Sequence, residues 1–203
     1  MPVWPGDPKV EFVRTASIHE AGYNVTRINL GAHTGTHIDS PHHVMHDDRG
    51  VDSYPLDSLV GWAEVLDLGE LAAGSEITSA DLDRFAARVP DGARLLLKTG
   101  WGRRWGQPEF YTELPGITEG AAAWLAARKV KLLGIEQPSV HTKLDREVHR
   151  ALLVTGMVLL ETLANLQDVT ADRVYLAVLP MKLVGLDGAP ARVVAIEGIE
   201  ETE

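Results

Sequence analysis

His33-Thr-Gly-Thr-His37-Ile-Asp39-Ser-Pro41-His42-His43-Val-Met-His46 gathers five of the chain's eight histidines into fourteen residues. In an extended chain alternate side chains share a face, so strand register predicts His33, His37 and Asp39 projecting to one side. Gly35 falls on the same face between them and leaves room for something bound there. A helix also aligns His33 with His37, but Gly35, two threonines and Pro41 disfavour it. Two imidazoles and a carboxylate converging on one point form a ligand set for zinc, manganese or a similar divalent cation. Pro41 then ends the strand and swings His42 and His43 round its rim. A tract that merely sequesters metal is expected to be repetitive, without such register.

Outward from this stretch, strands are predicted over Tyr23–Leu30, Val60–Leu68, Arg94–Thr99, Val130–Ile135, Met157–Leu160, Val174–Pro180 and Arg192–Ile196. Helices are predicted over Thr78–Ala87, Thr118–Arg128 and Asp145–Leu153. Thr78 or Ser79 caps the first of these, and acidic residues occupy its first turn. Gly100 to Gly116 is a long loop punctuated by Trp, Gly and Pro, of the kind that often carries function. The acidic tail from Gly198 to Glu203 reads as a frayed end. Strands outnumber helices, and βα steps mix with consecutive strands, which predicts a single α/β domain with a mixed sheet over residues 1–203.

Composition excludes several classes. Nineteen basic against twenty-nine acidic residues give a net charge of −10, too acidic to coat a phosphate backbone, so no nucleic-acid partner is expected. With no cysteine, disulfides, iron–sulfur clusters and thiol catalysis are ruled out. No apolar run approaches the roughly 18 residues of a membrane helix, and the start lacks the basic and apolar regions of a secretion signal, so a cytoplasmic protein is expected. Neither a GxGxxG nor a P-loop motif occurs. The G-x-S-x-G nucleophile elbow is also missing, and Ser40 has no base placed beside it by spacing.

The segment from His33 to His43 resembles the HxGTHxDxPxH signature of the cyclase-like metal-dependent hydrolases, which include bacterial kynurenine formamidase and isatin hydrolase. The likeness extends through Trp4-Pro-Gly-Asp7, Gly134-Ile-Glu-Gln-Pro-Ser-Val140, His149 with Glu161, and Lys182 to Arg192. The resemblance implies a swivelling β/β/α-type domain in homodimers or homotetramers. It implies one metal on His33, His37 and Asp39, and a second completed by His149 and Glu161, with Asp39 and Glu161 bridging. His43 then matches the proton donor and acceptor, and Trp4 an aromatic wall of the substrate pocket. The ions implied are two zinc, with manganese the alternative for the same nitrogen and oxygen ligands. His149 and Glu161 do not lie on one helix face, because Thr155-Gly156 interrupts the helix. Glu136 replaces an aspartate common in the family and points to an altered pocket. Arg103 and Arg104 suit a carboxylate-bearing substrate.

The activity expected is hydrolysis of an amide-type C–N bond in a small aromatic substrate, as in arylformamidases. Ring opening of a cyclic amide or lactone, or a cyclase reaction, is the enzymatic alternative. The non-catalytic alternative is a metal- or ligand-binding protein on the same fold.

Overall fold

The structure is a computed structural model and describes residues 1–200. The end of the acidic tail, residues 201–203, lies outside the described residues. The strands are β1 (Glu11–Ala16), β2 (Val25–Asn29), β3 (His37–Asp39), β4 (Val60–Asp67), β5 (Glu76–Ile77), β6 (Arg94–Lys98), β7 (Gly116–Ile117), β8 (Leu132–Ile135), β9 (Val158–Glu161), β10 (Arg173–Pro180) and β11 (Gly188–Ile196). Seven of them close a barrel in the order β10-β11-β3-β9-β8-β6-β4. The pairs β4–β6, β6–β8 and β8–β9 are parallel, and the rest of the ring is antiparallel. The mixed sheet expected from the element order is therefore present, but it curls shut.

Strand alternation explains how both faces are used. Ile38, Ala63, Val65, Leu96, Leu132, Val158, Leu160, Val174, Leu176 and Val178 turn inward and pack as the barrel core. Their neighbours Leu66, Leu95, Leu97, Leu133, Ile135 and Leu159 turn outward. There they meet Ala121, Ala122 and Leu125 of the helix Glu119–Ala127 and Val148 and Leu152 of the helix Asp145–Leu153. Parallel strands covered on both faces need near-continuous apolar runs, which is what Arg94–Lys98 and Val158–Glu161 supply. Gly134 keeps the barrel narrow: a Cβ there would lie 2.6 Å from Leu96 Cδ2 and 2.9 Å from Leu163 Cδ1. Among the described residues no helix is long and apolar enough to cross a membrane.

Three expectations need correction. The strand through the histidine segment covers only His37–Asp39, because residues 32–36 form turns and Gly35 adopts a left-handed φ of +67°. The helix predicted over Thr78–Ala87 stops at Asp83 and resumes as a 3-10 turn at Ala86–Arg88. Arg88 draws the chain toward the barrel there, donating to the Val65 carbonyl at 2.7 Å. Last, Glu11–Ala16 forms a strand that went unforeseen, paired with β2 in a hairpin whose residues are almost all exposed. Without a buried face it carries no apolar–polar alternation to read.

Candidate metal centre

The side chains of β3 alternate, so once Ile38 is fixed in the barrel core, His37 and Asp39 must point outward. Both edges of this three-residue strand are paired: His37 stands opposite Glu161 of β9, and Asp39 opposite Gly188 of β11. His33 reaches the same side by a turn rather than by strand register. The left-handed Gly35 folds the chain back, and His33 Nδ1 comes to 2.8 Å from Asp39 Oδ1. The Gly35 carbonyl also accepts from His37 Nδ1 at 2.8 Å, so the glycine serves the site through its backbone, and the space left by its missing side chain faces Met1 Cε rather than the ligand face expected from strand register.

His149 comes from the helix packed over this face. Its Nε2 lies 3.3 Å from both Asp39 Oδ2 and Glu161 Oε1, and its Nδ1 lies 2.8 Å from the Asp145 carbonyl. A carbonyl can only accept, so in His37 and His149 alike Nδ1 carries the proton and Nε2 faces the carboxylates. His43 sits on the 3-10 turn Pro41–His43, its ring 4.2 Å from that of His33 and 5.4 Å from that of His149. The structure thus brings His33, His37, Asp39, His43, His149 and Glu161 together. His42 leaves the group, its Nδ1 held at 2.6 Å by the Asp47 carbonyl.

The electrostatics show a cluster that wants positive charge. Burial opposes ionisation of His33, yet the Asp39 and Asp187 carboxylates outweigh it and push the imidazole up to about 10. Burial likewise resists the charge on His149, and Asp145, Asp39 and Glu161 raise it well above its usual value. Burial works against the Asp39 carboxylate, but the surrounding histidines hold it far below the usual range. Glu161 is raised by burial and by the neighbouring charge of Asp39. Desolvation lowers His43 and keeps it a neutral imidazole near pH 7. A divalent cation among these groups would supply the positive charge that the protons supply here, and would displace those protons.

The residues fit such a cation. His37 Nε2, Asp39 Oδ2, His149 Nε2 and Glu161 Oε1 are all buried without a hydrogen-bond partner among the described residues. Orphaned buried polar atoms are costly and rare, and these four, with His149 Nε2 3.3 Å from both carboxylate oxygens, call for a shared partner. His33, His37 and Asp39 offer donor atoms within 4.8 Å of one another, as do Asp39, His43 and His149. Imidazole nitrogen with carboxylate oxygen is a donor set for zinc or manganese.

Beside these groups lies a cavity of about 230 Å³ lined by Trp4, His33, His37, His43, Tyr111 and His149, among others. Tyr111, which sequence reading missed, meets Trp4 edge-on at 5.9 Å, and together they form an aromatic wall. The loop from Gly100 to Gly116 supplies it, anchored by the buried Trp101, Phe110 and Leu114. Glu136 does not line the cavity. Its Oε2 accepts from the Thr99 backbone N–H at 2.6 Å and the Thr99 hydroxyl at 2.9 Å, so it ties down the start of that loop. Arg103 and Arg104 also stay outside the cavity, paired with Glu70 and Glu109. Instead, Arg146 and Arg150 line a broader adjoining groove of about 800 Å³ that shares His43 and Asp145 with the cavity. Asp187 is a second residue missed as an individual, its Oδ2 2.9 Å from His33 Nε2. Its only signal was its place inside the Lys182–Arg192 motif.

The family model described as "Putative cyclase" matches residues 1–142. The chain belongs to this family. It is 38% identical over 197 residues to a kynurenine formamidase of Salinibacter ruber, covering 95% of this chain and 90% of that protein. It is 33% identical to a kynurenine formamidase of Bacillus cereus, covering 94% and 89%. Among solved structures, one titled a potential metal-dependent hydrolase with cyclase activity superposes with a TM-score of 0.81 at 31% identity, covering 96% and 90% of the two chains. An isatin hydrolase bound to the product analogue thioisatinate shares the fold, with a TM-score of 0.83 at 23% identity over 96% and 86%.

Proposed function

We propose that residues 1–203 act as one metal-dependent hydrolase domain that cleaves an amide-type C–N bond in a small aromatic substrate, in the manner of an arylformamidase. The observation that carries this reading is a cluster of four buried polar atoms without a hydrogen-bond partner among the described residues, beside a cavity walled by aromatic rings. Kynurenine formamidase relatives that align over nearly the whole chain support the choice of bond. In this reading His33, His37 and Asp39 would hold one ion, and His149 and Glu161, with Asp39, would hold a second. Two zinc ions are proposed, with manganese the alternative.

When bound, divalent ions acidify water and polarise a carbonyl. The chain's own residues do the rest. Trp4 and Tyr111 present ring edges and faces that seat an aromatic group and exclude bulk water. His43, neutral and beside the cluster, accepts a proton from the attacking water and returns it to the leaving aryl amine. The acyl carbon gains the water oxygen, the C–N bond breaks, and the amine leaves with the transferred proton. The guanidiniums of Arg146 and Arg150, without an ion pair among the described residues, favour substrates with an anionic substituent reaching into the adjoining groove.

A homodimer or homotetramer in the cytoplasm belongs to the same proposal. Its support is the hairpin of β1 and β2, where Phe12 and Ile28 face each other in register while 68% and 61% exposed. An isolated two-stranded hairpin is marginal in water, and a second copy of the chain would cover it.

The test pairs elemental analysis of the purified protein with turnover of N-formyl anilides, cyclic imides and lactones. Stoichiometric divalent metal with formanilide hydrolysis supports the proposal. Metal-loaded protein that opens only the cyclic substrates makes it a ring-opening hydrolase instead. Metal without any turnover leaves a binding protein.

A further inference from the structure

The three buried or half-buried histidines of the centre are not held alike. His37 and His149 each spend Nδ1 on a backbone carbonyl and turn Nε2 toward the carboxylates. His33 is reversed. Its Nε2 lies 2.9 Å from Asp187 Oδ2, and its Nδ1 faces Asp39 at 2.8 Å. The partner that takes His33 Nε2 is a carboxylate; His37 has a carbonyl in that role, and His149 has the Asp145 carbonyl at 2.8 Å with the Asp145 carboxylate farther off at 3.3 Å.

The seat beneath His33 is built from several parts. The Ser40 backbone N–H donates to the Asp187 carbonyl at 2.9 Å, and the Ser40 hydroxyl donates to the same carbonyl at 3.1 Å. Gly188 then pairs with Asp39 at the start of β11. The imidazole lies flat against Gly188, where a Cβ would come within 2.7 Å of His33 Cε1 and 2.9 Å of its Nε2. Thus Gly188 leaves the ring its place, and Asp187 stands at its outer nitrogen. Asp187 is itself 42% exposed at the side chain, at the rim of the buried group, with ligand atoms of His33, His43 and Asp187 within 4.8 Å of one another.

We propose that Asp187 is a positioning residue that accepts from His33 Nε2–H and so presents Nδ1, rather than Nε2, to the ion. This rests on the metal-centre reading above. The chemistry is the known one of a carboxylate behind a ligating histidine, which fixes the ring and raises the basicity of the nitrogen that faces the metal. His149 also has a carboxylate near its outer nitrogen, Asp145 Oδ1 at 3.3 Å from Nδ1, but that nitrogen is held more closely by the Asp145 carbonyl at 2.8 Å, whereas the Asp187 carboxylate is the partner recorded at His33 Nε2. The turn-borne backbone of His33 has less support than the strand that carries His37 or the helix that carries His149.

The test uses the zinc-loaded full chain, with Asp187→Ala, Asp187→Asn and Gly188→Ala variants. Proton–nitrogen correlation spectra of the histidine rings report which ring nitrogen carries the proton. Competition with a chromophoric chelator reports affinity, and a thermal melt of each metal-free variant reports folding. The expected result places the His33 proton on Nε2 and those of His37 and His149 on Nδ1. Asp187→Ala then weakens zinc roughly 10- to 100-fold, the usual worth of such a partner. Asp187→Asn, which keeps an acceptor oxygen, loses less, and Gly188→Ala reproduces the loss by moving the ring with Asp187 intact. Wild-type protein that binds zinc with the His33 proton on Nδ1 overturns the proposal and leaves the metal centre standing. So does a folded Asp187→Ala variant, or Asp187→Asn if alanine does not fold, whose zinc affinity and His33 signals match wild type. Wild-type protein that binds no divalent ion overturns both readings together.

Discussion

His37 and Glu161 face one another directly across β3 and β9, with imidazole Nε2 and carboxylate Oε2 3.6 Å apart. One comes from the dense histidine segment and the other from an apolar strand far along the chain, yet a single rung of the barrel fixes their separation. The second half of the centre therefore depends on sheet register as much as on ligand identity.

Glu161→Gln tests that dependence. It keeps the size and an acceptor oxygen but removes the negative charge that would lie between two cations, which repel strongly at such separations. The expected outcome is a metal-to-chain ratio falling toward one by elemental analysis, with activity partly restored at high metal concentration. Unchanged tight binding of two ions with normal turnover would exclude Glu161 from the centre.

His43→Ala separates proton transfer from metal binding. The ring lies against those of His33 and His149 and is available as a neutral base, so its loss should lower kcat by roughly 10²–10⁴. Metal content should remain that of wild type. His42→Ala, whose ring is tied to the Asp47 carbonyl, should keep most activity in the same steady-state assay.

Arg146 and Arg150 sit one turn apart on the helix that carries His149, and neither forms an ion pair among the described residues. Like charges so placed repel each other, and an anionic ligand relieves them. Replacing both with alanine should raise KM for a carboxylate-bearing aryl formamide by roughly three- to tenfold, the worth of exposed charge pairs. KM for unsubstituted formanilide should stay unchanged.

Thr78 and Asp81 form a reciprocal capping box, with Thr78 N–H donating to Asp81 Oδ2 at 2.9 Å and Asp81 N–H to Thr78 Oγ1 at 3.3 Å. Thr78→Ala should cost about 1 kcal/mol, read as a fall of a few degrees in Tm. Hydrogen bonds from the Thr78 hydroxyl and then its backbone N–H hold the Asp81 carboxyl below its usual range. The stability it brings is therefore complete above the unfolded carboxyl value near 4 and fades as pH falls through the lower folded value. The Tm gap between wild type and Thr78→Ala should narrow accordingly in acid.

Much of this centre was legible because ligand chemistry and local spacing coincide in His33–His43. His37 and Asp39 do share a strand face. His33 joined them for a different reason, since a left-handed Gly35 is a backbone property that strand periodicity does not encode. The helix Asp145–Leu153 showed its amphipathic pattern, but the rung that sets Glu161 against His37 is a pairing across the fold, and spacing alone left that residue ambiguous. Barrel closure was hidden for a like reason: strand content predicts a mixed sheet, while the join of β4 to β10 is long-range. Tyr111 and Asp187 were unreadable as individuals because each acts through a loop or strand end whose position only packing determines.

The short strand β3 lies between β9 and β11, and this has a bearing on how the protein comes into being. During synthesis the histidine segment emerges before either flanking strand, with β4 to β8 made in between. Until β9 and β11 dock, nothing holds His37 and Asp39 in their outward register, and neither Glu161 nor the Asp187–Gly188 seat is in place. Assembly of the ion site is thus coupled to the slow, non-local steps that close the ring. A nascent chain would carry its richest ligand sequence without the geometry to use it until β9 and β11 are made and docked, and competence would arrive nearly all at once.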